Sequence, residues 1–145
     1  MKINRALTRG MFAGLCFASG VAVTVAIGQT TYPPLQVLLS SSQSILGEDI
    51  AYPAGQPIVT AAILTLQPGE STGAHKHEAP LFVMVLEGEV TVDYGPAGTK
   101  RYVKDDAFLE AFQSNHSGTN TGAEPVRILT VFAGSDAVKN TVMEE

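Results

Sequence analysis

The chain has 145 residues, 45% of them hydrophobic, with three histidines, one cysteine and a formal net charge of −5 at neutral pH. Three of its nine basic residues (Lys2, Arg5 and Arg9) fall in the first nine positions and no acid does, so residues 29–145 set six basic against fourteen acidic side chains. That balance argues against nucleic acid and anionic lipid as partners, and with no cysteine beyond Cys16 there is neither a disulfide framework nor a thiol nucleophile.

The basic start is followed by an uncharged, largely apolar run from Gly10 to Gly28 that ends small-x-small at Ala26-Ile27-Gly28. This pattern reads as an export signal over residues 1–28, cleaved near Gln29, and places the protein in a periplasm or outside the cell. The alternative is an uncleaved membrane anchor through residues 10–28. Residues 29–50 hold a Pro-Pro pair and a Ser/Gln cluster, the composition of an extended arm or linker, with one short strand expected at Gln36–Leu39.

From residue 51 to 134 the pattern is one of short β-rich runs closed by turn residues. Ile58–Leu66 ends at Pro68-Gly69, Leu81–Leu86 at Glu87-Gly88, and Val90–Tyr94 at Gly95-Pro96-Ala97-Gly98. Val90, Val92 and Tyr94 alternate onto one face. Phe82, Met84 and Leu86 oppose Val83 and Val85 in a strand buried on both sides, one face of which is expected to line the barrel; core packing is the expected role of Phe82 and Met84, and contact with a ligand the alternative. Lys100–Val103, Ala107–Phe112 and Val126–Phe132 complete the set. Regular short strands without a long helix predict an antiparallel all-β sandwich or barrel. The polar tail, residues 135–145, shows no pattern that distinguishes a short helix from a disordered end.

Two histidines stand one residue apart, at His75 and His77, and strand alternation sends both to one face. The third, His116, lies just past the Ala107–Phe112 run. A mononuclear metal needs at least a third protein ligand, commonly from a neighbouring strand. By spacing alone the three are equally well read as solvated strand and turn residues.

The spacing resembles that of a small single-domain cupin, a β-barrel of jelly-roll type. The first motif of that family, G-x5-H-x-H-x3,4-E-x6-G, is met by Gly69, His75, His77 and Gly88, but its glutamate position holds Leu81. The second, G-x5-P-x-G-x2-H-x3-N, is met in frame by His116 and Asn120, with Asp105, Ala111 and Gln113 at its Gly, Pro and Gly positions. The resemblance implies one divalent metal ion held by His75, His77 and His116. It implies a small organic, anionic ligand or substrate at the barrel mouth and a homodimer paired through sheet edges. Iron, manganese, zinc, nickel and copper all suit three imidazoles. The set is similar to that of three-histidine cupins that handle iron and dioxygen, which makes an oxygenase one expectation and a metal-assisted lyase or isomerase another. A non-catalytic binding or sensing module is the alternative.

Glu110, within the apolar AFLEAF run, is the candidate for the missing carboxylate's role as fourth ligand or general base. Otherwise it points to solvent or pairs with Arg127. Glu78 follows His77 directly, so alternation turns it away from the histidines. Asn120, beside Gly122, is expected to shape a turn.

Overall fold

The computed structural model describes residues 34–144, so the export or anchor segment expected at 1–28 lies outside the described residues. The chain is built from β1 (Pro57–Leu66), β2 (His75–Lys76), β3 (Leu81–Glu87), β4 (Glu89–Asp93), β5 (Thr99–Val103), β6 (Ala107–Leu109), β7 (Ser117–Thr119), β8 (Val126–Ser135) and β9 (Val142–Met143). A single 3-10 turn at Gly95–Ala97 interrupts them. Among the described residues no helix is long and apolar enough to cross a membrane.

All pairings are antiparallel. One sheet runs in the order β1-β8-β3-β6, a second in the order β5-β4-β7, and β2 pairs with β9 alone. This is the antiparallel all-β architecture that the strand pattern predicts, in the jelly-roll form that the cupin resemblance implies. The β1–β8 ladder is unbroken from Pro57↔Ser135 to Leu66↔Val126. The β3–β8 ladder slips between Val85 and Glu87, where the chain turns into β4. Gly88 makes that turn with φ +73°. A Cβ there would lie 2.7 Å from the Pro125 carbonyl oxygen, so both the backbone angle and the close approach require glycine.

Alternation decides what faces inward. Leu81, Val83 and Val85 of β3 are buried, as are Val90, Val92 and Tyr94 along and just after β4, and they pack with Val126 and Ile128 of β8. The inward face of β3 is therefore the Leu81/Val83/Val85 face. Phe82 and Met84, expected in core packing with ligand contact as the alternative, are half-buried on the other face and do not line the cavity, because a one-residue change of parity exchanges the two sides of a strand.

Three further expectations are corrected. Gln36–Leu39 forms no strand, and its backbone stays unpaired. The Ala107–Phe112 run leaves the sheet after Leu109, and the chain from there carries His116 to the barrel mouth. The tail is ordered: β8 runs on to Ser135, and β9 then returns to pair with β2, matching His75 with Met143 and Lys76 with Val142. The arm also docks. Ile45 N–H donates to the Leu109 carbonyl, and the Glu48 carboxylate accepts hydrogen bonds from Ser44 Oγ, Ser114 Oγ and the Phe112 amide.

Candidate metal centre at the barrel mouth

His75 and His116, far apart in sequence, are direct cross-strand partners. His75 N–H donates to the His116 carbonyl at 2.9 Å and His116 N–H returns a bond to His75 at 2.8 Å. Residues paired in this way project their side chains from one face within a few ångströms. His77, two residues on from His75, joins that face. The three imidazoles offer ligand atoms that all lie within 4.8 Å of one another, with ring centroids 4.5 to 5.0 Å apart. All three side chains are buried.

Each ring is oriented by a backbone carbonyl. His75 Nδ1 meets the Gly73 oxygen at 2.9 Å, His77 Nδ1 the Asn140 oxygen at 2.9 Å, and His116 Nδ1 the Ser114 oxygen at 3.0 Å. A carbonyl only accepts, so Nδ1 carries the proton in all three and the Nε2 lone pair is left free. Burial lowers the basicity of all three rings, and His77 falls to about 4. At neutral pH they are neutral donors with fixed tautomers, the form a divalent ion requires. The donor set fits one such ion.

Glu110 completes the polar end. It directly follows β6, and its N–H donates to the Leu81 carbonyl at 2.9 Å. The cupin motif's carboxylate position is thus apolar, while a carboxylate stands beside it, joined to it by a backbone hydrogen bond. The side chain is buried, and Oε1 accepts hydrogen bonds from Tyr94 OH and Ala111 N–H, both at 2.8 Å. The motif's proline at 111 could not donate that bond, so alanine there and glutamate at 110 suit each other. Oε2 lies 4.0 Å from His116 Nε2. Burial raises the Glu110 pKa above the ordinary 4.5, against the lowering effect of the Ala111 and Tyr94 bonds. Tyr94 OH in turn meets Tyr102 OH at 2.9 Å, and Tyr102 stacks on Phe108 with ring centroids 3.8 Å apart. Arg127, the alternative partner for Glu110, pairs with Glu87 at 2.8 Å instead.

Glu78 accepts a hydrogen bond from the Lys139 amide. Asn120 does more than shape a turn: almost fully buried, it donates to the Leu66 and Glu124 carbonyls and accepts from Gly122 N–H. Asp105 and Gln113, at the two glycine positions of the second motif, both have φ +74°. The left-handed backbone is retained without glycine, and Gln113 N–H uses it to reach the His77 carbonyl at 3.1 Å.

The histidines and Glu110 border a cavity of about 360 Å³ whose lining includes Thr141 and Met143 of the tail. Asn140, Thr141 and Met143 had no signal in the sequence, because their place depends on pairing with β2. Glu48 had none either; it ties down the loop that carries His116.

Residues 62–132 match the family profile described as Cupin domain. No curated protein matches the sequence. Solved structures of similar fold include the formate complex of Lactobacillus farciminis oxalate decarboxylase, with 23% identity, a TM-score of 0.51, and 59% of this chain and 26% of that chain covered. Another oxalate decarboxylase structure gives 21% identity and a TM-score of 0.51 over 59% and 23% of the two chains. An oxalate oxidase gives 19% and 0.50 over 59% and 45%. The chain thus spans less than half the length of each, and identities this low establish a shared fold.

Proposed function

We propose that this chain, folded as a cupin barrel, binds one divalent metal ion through His75, His77 and His116 and uses it to hold a small organic molecule in the adjoining cavity. The observation that carries this reading is the set of three Nδ1–carbonyl hydrogen bonds, which leaves three neutral Nε2 donors with fixed tautomers around one point. A bound ion would act as a Lewis acid toward a carboxylate or enolate oxygen. Iron, manganese, zinc, nickel and copper remain compatible with the donor set.

Glu110 is the proton-transfer group of the proposed site. Tyr94 and Ala111 hold Oε1, so Oε2 is the oxygen presented beside the histidines. A carboxyl whose pKa is raised by burial keeps its proton to higher pH than an exposed one, which suits a group that both gives and takes a proton. This favours an enzyme of the oxygenase, lyase or isomerase kind. One observation favours the second reading, a non-catalytic binding or sensing module: Glu110 is the one carboxyl lining the cavity among the described residues, and most other lining side chains are apolar. The sequence of residues 1–28 supports export, and with it action outside the cytoplasm.

Cobalt(II) titration of metal-free protein tests the site. Saturation at one ion with a visible spectrum altered by His77→Ala is expected; a spectrum insensitive to all three histidines would refute it.

A further inference from the structure

The polar groups of the cavity are gathered at one end. Beside the three imidazoles and Glu110, Thr72 Oγ1 and Thr141 Oγ1 lie 3.4 Å from the Nδ1 atoms of His75 and His77. Thr72 and Thr130 are both committed to the backbone: Thr72 Oγ1 donates to the Gly73 carbonyl and accepts from Gly118 N–H, each at 3.0 Å, and Thr130 Oγ1 donates to the Ala62 carbonyl at 3.2 Å. The rest of the wall is hydrocarbon, with Leu66, Val83, Val90, Val92, Ile128 and Phe132 prominent in it. No lysine or arginine lines the cavity among the described residues.

This distribution limits what can bind. A divalent metal ion would supply the only positive charge, so an anionic group is satisfied only on the metal. A second carboxylate carried beyond chelating reach of the metal would face hydrocarbon without a cation or donor, and burying an unpaired charge is severely unfavourable. An apolar body, by contrast, gains from each group it removes from water. A cavity of about 360 Å³ has room for a body of on the order of ten non-hydrogen atoms, at about 30 Å³ for a water-sized group.

We infer that the ligand of this site is an amphipathic molecule with an anionic, oxygen-bearing head on the metal and an apolar body along the β3, β4 and β8 walls, and that molecules carrying a second charge at the far end of that body are excluded. The inference rests on the metal-binding reading above and adds to it the apolar body, which the substrate named for the structures of similar fold lacks. The likeness to those structures lies in the barrel, whereas this selectivity lies in the side chains of its wall.

The test has two stages on the full chain. Zinc is first titrated into metal-free protein. The zinc-loaded protein is then titrated calorimetrically with a series of straight-chain alkanohydroxamates, from two to eight carbons, and with suberic monohydroxamate, an eight-carbon chain with a carboxylate at its far end. Affinity should rise about threefold to fourfold per added methylene until the cavity is full, and suberic monohydroxamate should bind at least about tenfold more weakly than the eight-carbon alkanohydroxamate. Affinity independent of chain length, or a loss under about tenfold on adding the far carboxylate, would overturn the inference while leaving the metal site standing. Failure of zinc itself to bind would remove the metal-binding reading, and the inference with it.

Discussion

Ending the chain after Lys139 removes β9 and the carbonyl that orients His77. The losses can be counted: the Asn140 oxygen on His77 Nδ1, the Glu144 amide on the Ala74 carbonyl, the Asn115–Glu144 side-chain bond, and the β2–β9 pairing. Each contributes about 0.5–1.5 kcal/mol net, so the truncated protein should lose about 2–6 kcal/mol of stability and still fold. The ladder between β1 and β8 and that between β3 and β8 are untouched. The effect on the site is more specific. Removing the partner that orients a ligating histidine typically weakens metal binding about 10–100-fold. Zinc calorimetry on full-length and truncated protein measures this directly. Repeating it in a His77→Ala background separates orientation from general loosening. With His77 gone, truncation should change zinc affinity much less, because the bond it breaks no longer has a ligand to orient. Truncated protein binding zinc within twofold of the full chain, or an equal loss in both backgrounds, would refute the positioning role.

Glu110→Gln preserves the acceptor used by Tyr94 and Ala111. The carboxyl's pKa is raised on folding, so the unfolded chain loses this proton first. Native metal-free protein should therefore lose stability relative to the Gln variant as pH rises from about 4.5 toward the raised folded value; parallel unfolding free energies across that window would contradict the buried assignment. Gln113→Gly should stabilise the protein by about 0.5–1 kcal/mol, because relief of a left-handed residue's strain exceeds the entropy glycine costs. Denaturant unfolding would show no gain if the Gln113 backbone were unstrained. Gly88→Ala should cost about 2–4 kcal/mol, combining left-handed strain with the clash at Pro125; a change under 0.5 kcal/mol would mean the turn relaxes freely.

The long strands are legible in the amino-acid sequence, because period-two alternation over Val90–Tyr94 and turn chemistry at Gly69 and Gly88 are local signals; the histidine set is legible only through the cupin motif spacing that joins His116 to His75 and His77. What the sequence hides is non-local. His75 and His116 meet through a bridge between short segments, with no alternating run to announce it. The tail is ordered by the two-residue β2–β9 pairing, and polar residues there look the same whether they dock or fray. The parity of β3 is ambiguous because both of its faces are apolar, so Leu81 and Val83 cannot be told from Phe82 and Met84 as the inward pair. At Glu110 the sequence shows an isolated acid among apolar neighbours. It turns inward two residues on from buried Phe108, and its partners Tyr94 and Ala111 are brought to it by the packing of separate segments.

Metal content tests the central claim most directly. Elemental analysis of purified protein, after reconstitution with each candidate divalent ion in turn, should give one equivalent for the native chain. It should give well below one for His75→Ala and His116→Ala, each still folded by circular dichroism. No retained metal in the native protein, or one equivalent surviving both substitutions, would contradict the three-histidine centre.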